Sequence, residues 1–270
     1  MIKKIIRKII QKILYSLGAD LTVKKLDPYA FLLDVKRYEK QNISLLGNQF
    51  TIVDSLSFYY SYREIFSDRI YEFKTFNQTP YIIDCGANVG TSISFFKSIY
   101  PNAKIVAFEA DPKVYEVCRE NITSQGLSDV ELKNLALWDE ETQIEFLSEG
   151  ADAGRIDQSL KKDNIVRVKT AVLSQYITDN VDFLKIDIEG AELRVLQESR
   201  SFLKNVKNLF VEYHSFENQE QVLDQILNII SSAGFRYQLK TIFASANPYL
   251  AIGSNVGMDL QINIFAYKIE

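Results

Sequence analysis

From residue 80 onward the chain alternates short segments rich in β-formers with segments of helical period. YIIDC (81–85), KIVAFE (104–109), VELKNLAL (130–137), VDFLKIDI (181–188) and NLFVEYH (208–214) are predicted strands. Between and after them, helices are predicted from about Val89 to Tyr100, from Pro112 to about Gln125, over AELRVLQESRSFL, and from about Asn218 to Ala233. Asp111 is the expected N-cap of the second helix, with Pro112 in its first turn and Gly126 at its stop. Strands joined by helical crossovers pair in parallel, and their helices cover both faces of the sheet. FRYQLK and LQINIFAYKI end the chain and lie close enough in sequence to pair antiparallel, so seven strands are expected in the main sheet. TQIEFLS and VRVKTAVL predict an antiparallel excursion. The fold class is therefore α/β.

Apolar residues make up 47% of the chain, enough for a full core. A net charge of -4 argues against nucleic acid as a partner. Cys85 and Cys118 read as reduced core thiols, and no pattern of Cys and His suits structural zinc.

The first 79 residues read as a separate N-terminal part: an amphipathic helix followed by a helical and hairpin cap. In MIKKIIRKIIQKILYSL (1–17), isoleucines recur at helical spacing between Lys3, Lys4, Arg7, Lys8 and Lys12. This face suits either peripheral contact with an anionic membrane or packing against protein, and the chain is expected to be cytoplasmic in both cases. A helix is predicted over 27–40 from Asp27-Pro28, then a hairpin turning at Gly47-Asn48. An aromatic-rich helix follows over SLSFYYSYREIFSDRIYEF, with a break near Ser67. Residues 80–270 form the expected second domain.

Ligands of open α/β sheets bind outside the carboxyl ends of the strands. Here those ends carry acids: Asp84, Glu109, Asp187 with Glu189, and Glu212 beside His214. Like charges gathered on one edge repel unless a ligand or partner offsets them. Gly86 and Gly90 bracket a strand-to-helix turn whose amides can hold an anion. Glu109 lies 23 residues after Gly86, near the spacing at which an acid meets ribose hydroxyls. Asn88 stands where a pyrophosphate-binding turn needs glycine, and its side chain would crowd the phosphates. A nucleoside with an amino-acid tail fits better, and S-adenosylmethionine is such a ligand.

The segments IIDCGANVGTSISFF, IVAFEADP, NLALWDE, VDFLKIDIEGAELRVLQ and LFVEYH together resemble the FkbM family of S-adenosylmethionine-dependent methyltransferases. The resemblance covers roughly residues 43–240, and IDIEGAE (186–192) is its most specific string. It implies a Rossmann-like class I methyltransferase core and O-methylation of a sugar, glycan or other small natural product. It also implies that Asp84, Gly86, Asn88 and Gly90 line the methionine end, that Glu109 binds ribose, and that adenine lies near Asn134–Ala136. Where the family often has proline, this chain has Ala110.

For catalysis, His214 is the only histidine, and its ordinary pKa suits a general base at neutral pH. Asp187 is the second candidate. Asp187 and Glu189 are two apart and share a face while the strand stays extended, but two carboxylates alone are a poor metal argument, so no metal is expected, and Glu192 reads as a partner of the helix dipole. Two other readings share the strand and turn: a nicotinamide-dependent oxidoreductase, and a non-catalytic S-adenosylmethionine-binding module. The acceptor pocket is expected among residues 55–79, 148–165 and 241–258, with SEGADAGRIDQSL as a lid. Neither the acceptor's identity nor the oligomeric state is encoded in any motif.

Overall fold

The computed structural model describes residues 27–148, 165–217, 219–250 and 257–269. The predicted N-terminal amphipathic helix, the lid tract and the centre of 241–258 lie outside the described residues. The chain divides into two compact units, residues 1–35 and 36–270. In the first, a 3-10 helix spans Ala30–Asp34. The helix expected over 27–40 goes no further, because Val35 is already extended and Tyr38 takes a positive φ of 60°.

The second unit opens with a hairpin of β1 (Gln41–Leu45) and β2 (Asn48–Ile52). Leu45 pairs with Asn48, so the turn residues are Leu46 and Gly47, one position earlier than expected. Both have positive φ, the geometry that matches the strand twist in a two-residue hairpin. Helix α1 (Ser55–Tyr62) runs into a π-helical turn over Arg63–Ser67, where the expected break falls.

The main sheet has seven strands: β3 (Tyr81–Cys85), β4 (Lys104–Phe108), β5 (Val130–Lys133), β9 (Val181–Ile186), β10 (Val206–Phe216), β11 (Arg236–Ala244) and β12 (Met258–Tyr267). Their spatial order is β11-β12-β10-β9-β3-β4-β5. The five strands from β10 to β5 are parallel, and β12 pairs antiparallel with both β10 and β11. Helix α2 (Thr91–Ile99) is buried throughout from Thr91 to Lys97. Helix α3 (Pro112–Ser124) buries Val114, Val117, Cys118 and Asn121, the stripe of an amphipathic helix. Its Asp111 cap accepts from the amides of Lys113 and Val114, as the sequence predicts. Helices α4 (Glu192–Ser199) and α5 (Leu223–Ser232) complete the layers. The predicted start of α5 was about five residues early. Both cysteines are buried and free.

The segment 130–137, expected as one strand, is two. Asn134 ends β5 by turning its amide onto the carbonyls of Glu109 and Ala110, at 2.9 and 3.1 Å. The chain then enters β6 (Ala136–Trp138), part of a separate sheet ordered β6-β8-β7 with β7 (Gln143–Leu147) and β8 (Ile165–Val172). β7 and β8 are the predicted antiparallel pair.

Chain order runs outward from β3 through β4 to β5, then resumes at β9 on the other side of β3. That reversal makes the β3/β9 boundary the place where a crevice opens at the carboxyl ends.

Candidate active site

A cavity of about 590 Å³ lies at that boundary. Its floor is a backbone contact. Gly86, at φ +88°, sits so close to β9 that a Cβ there would lie 1.9 Å from the carbonyl oxygen of Asp187. Asp187 N–H donates to Cys85 O at 3.1 Å, and the amides of Gly86 and Ala87 both donate to Phe108 O. The turn is thus held by both neighbouring strands. Asn88 continues it at φ 49° and donates its N–H to Glu109 Oε2 at 2.8 Å. The other Glu109 oxygen accepts from Asp111 N–H at 2.9 Å. Burial pushes the Glu109 carboxyl up to about 7, against the pull of these two amides.

Beneath the turn lies a side chain that sequence reasoning missed. Lys185, the penultimate residue of β9, is almost wholly buried. Its ammonium donates to Gly86 O at 2.7 Å and pairs with Asp84 at 3.3 Å and Asp187 at 3.2 Å. Burial works against that charge, but Asp187 and Asp84 outweigh it and hold the ammonium well above its ordinary range. Ser92, in the first turn of α2, donates to the other Asp84 oxygen at 2.5 Å. The signal was present: a lone cation inside the apolar run VDFLKI.

At the opposite end, His214 is buried, and its Nδ1 lies 3.1 Å from Glu192 Oε1. Glu192 also accepts from Gly190 N–H at 3.0 Å, so this buried acid fixes both a turn and an imidazole rather than only facing a helix dipole. His214 Nε2 lies 3.7 Å from both Glu189 and Glu212, and 3.4 Å from Gln261 Nε2. Gln261 also donates to Glu212. Asp187 and Glu189 do not share an extended face, because β9 ends at Ile186 and Glu189 has a φ of 55°. Burial works against a charge on His214, but Glu189, Glu192 and Glu212 hold the imidazole well above its ordinary range. Burial pushes Glu212 up to about 8, with Asp187 adding to it and His214 opposing.

Of the residues singled out in the sequence, Gly86, Asn88, Glu109, Ala136, Asp187 and His214 line this one cavity. Asp84, Gly90 and Asn134 stand behind its wall. Asp84 is fully buried on Lys185 and Ser92. Gly90 faces Cys118, whose sulfur would be 3.1 Å from a Cβ. Asn134 clasps the loop after β4. From the expected acceptor region, Tyr60 and Glu64 reach the cavity from α1 and its π-helical turn.

A doubly wound sheet with this turn, this acid after the second strand and a cavity at the switch point defines a Rossmann-like, S-adenosylmethionine-dependent methyltransferase. The chain belongs to the FkbM methyltransferase family: the model of the "Methyltransferase FkbM domain" matches residues 84–237, more than half its length. It is 30% identical over 205 residues to Methyltransferase sdnD of Sordaria araneosa, covering 59% of this chain and 79% of that protein. It is 26% identical over 176 residues to 2-O-methyltransferase NoeI of Sinorhizobium fredii, covering 57% and 72%. The crystal structure of Methyltransferase FkbM from Methylobacillus flagellatus KT is 15% identical with a TM-score of 0.44. That match covers 71% of this chain and 45% of the other. No helix among the described residues is long and apolar enough to cross a membrane.

Proposed function

We propose that the chain methylates a hydroxyl of a small polyhydroxylated acceptor, such as a sugar, a glycan or another natural product. The observation that carries this reading is the single cavity that joins the Glu109 wall to the His214 wall. One relative named as a 2-O-methyltransferase supports hydroxyl as the acceptor group. S-adenosylmethionine, when bound, supplies an electrophilic methyl group on a sulfonium.

Glu109 is the acceptor for the ribose hydroxyls. Gly86 lets the turn press against the Asp187 carbonyl, which excludes any side chain there, and so holds the turn in place beside the ligand. The amides at the start of α2, with Asn88, suit the carboxylate of the methionine end. Asp84 and Gly90 act from behind, by keeping that turn in shape. Ala136 flanks the adenine, and Asn134 holds the loop that carries it. The catalytic domain is residues 80–270, and Tyr60 and Glu64, from the segment before it, face the acceptor.

His214 is the proposed base, acting with Glu212. Glu189, Glu192 and Glu212 favour the protonated imidazole, so His214 works as a base by sharing that proton with Glu212, 3.7 Å away. Asp187 is the second candidate, since its carboxylate lines the same wall. Positioning donor and acceptor is the larger task, and the base adds to it. The test is S-adenosylhomocysteine release over a panel of sugars and hydroxylated natural products. His214→Ala should lower kcat by about 10²-fold or more and leave S-adenosylhomocysteine affinity nearly unchanged. If Asp187→Asn gives that signature and His214→Ala does not, Asp187 is the base. Tight S-adenosylhomocysteine binding without turnover of any hydroxyl would remove O-methylation.

A further inference from the structure

Sequence spacing alone put two carboxylates near one another at the end of β9. The fold changes the donor set. It brings one ligand atom each from Asp187, Glu212 and His214 to within 4.8 Å of one another, on the wall of the cavity. Donors on opposite sides of an ion at about 2.1 Å lie about 4.2 Å apart, so small side-chain adjustments close the set.

Each of the three is held by the protein at one atom. His214 uses Nδ1 on Glu192, which leaves Nε2 facing Glu189 and Glu212. A carboxylate on the far nitrogen of an imidazole is the usual outer partner of a metal-bound histidine: it fixes the ring and raises its basicity. Asp187 uses Oδ2 on Lys185, and Glu212 uses Oε1 on Gln261. Glu64 and Glu189 stand on the same cavity wall, so negative charge there exceeds what Lys185 offsets. A second, independent sign comes from β12. Asn263 is fully buried, directly opposite Glu212 in the ladder, and neither its amide nitrogen nor its oxygen has a hydrogen-bond partner among the described residues. Directly opposed residues share a sheet face, and an orphaned buried amide beside a cluster of donors calls for a water or ion.

We propose that Asp187, Glu212 and His214 bind a divalent cation at the acceptor end of the cavity, with the acceptor hydroxyl as a further ligand. One imidazole with two carboxylates favours Mn²⁺, Fe²⁺ or Zn²⁺ over Ca²⁺. With the ion bound, His214 and Asp187 serve as its ligands in place of a base; the ion orients the hydroxyl and increases its acidity, and the proton passes to Glu189, which lines the same cavity. The ion site stands on the side chains alone; the hydroxyl as its ligand rests on the O-methylation reading.

His214 gives a single histidine NMR signal in the untagged chain. Titrating Mn²⁺ into the full chain with S-adenosylhomocysteine present should broaden that signal. Electron paramagnetic resonance should then count one tightly held ion. Glu212→Gln and Asp187→Asn should each weaken Mn²⁺ binding at least tenfold, and Glu192→Gln, which reaches the ion only through the imidazole, about tenfold. Circular dichroism and retained S-adenosylhomocysteine binding identify variants that have kept the fold. An unbroadened histidine signal at millimolar Mn²⁺, or equal Mn²⁺ affinity in wild type and Glu212→Gln, overturns the ion site. S-adenosylhomocysteine binding that persists in that case leaves the methyltransferase reading standing. Loss of both would point to a failure of the whole site.

Discussion

The two ends of the cavity are built by different means. The Glu109 end is made from backbone: Gly86 pressed against the Asp187 carbonyl, two amides on Phe108 O, and two more on the Glu109 carboxylate. The His214 end is made from side chains that arrive on β10, β12 and the turn after β9, and that hold one another. A site fixed by main chain offers one shape to one ligand. A site of mutually paired side chains can be altered residue by residue without disturbing the sheet.

Lys185 serves both ends, so its removal is the severest test of the contrast. Lys185→Met leaves Asp84 and Asp187 without their buried partner, which should cost about 3–5 kcal/mol of stability. Chemical denaturation measures this. A loss below about 1 kcal/mol, the level of an exposed pair, would show that the two ends do not depend on it. Next comes Glu109→Ala, which should weaken S-adenosylmethionine binding at least tenfold, since charge-assisted bonds contribute about 1.5–3 kcal/mol each. Calorimetry on the folded variant reads it, and unchanged affinity would end the ribose assignment. Acceptor KM should move far less, if the ends are separate.

The smallest effect is in pH. Burial raises the Glu109 carboxyl from its ordinary 4.5 to about 7. The folded state therefore holds a proton that the unfolded chain has already lost between these values. Stability from this group is present below its unfolded pKa and falls as pH rises towards 7. Binding runs the other way, because an ionised carboxylate is the better acceptor for ribose hydroxyls. Cofactor affinity should rise between pH 6 and pH 8, by up to about tenfold for one group titrating near 7. Glu109→Gln should flatten that rise. A flat profile in the wild type would mean that Glu109 is already ionised at pH 6.

Much of this was legible before the fold was known. The parallel core, the capped helix after Asp111 and the antiparallel tail follow from period and punctuation. So does the Glu109 end, because a tight turn leaves glycines at fixed offsets. The break at Asn134 was not legible, since it depends on carbonyls of a loop far back in sequence that its side chain reaches only after folding. Glu192 was read only in part for a similar reason: it stands in the first turn of α4 as expected, but a helix-start acid looks the same whether it faces solvent or a histidine 22 residues on. Gln261 had no signal, as its role requires β12 to lie beside β10 in one particular register.

The bond from Lys185 to Gly86 joins residues 99 apart in the chain. Closing a span of that length costs entropy before any contact repays it, and such pairings form slowly. During synthesis the whole turn from Gly86 to Glu109 leaves the ribosome well before β9 exists. The nascent half-domain carries every signature of the cofactor turn, yet lacks the strand that supports it. Competence to bind therefore waits for β9, which lies between β3 and β10 in the finished sheet. A ligand that recognises only that finished sheet stabilises it by mass action, so the methyl donor doubles as a marker of molecules that have completed folding.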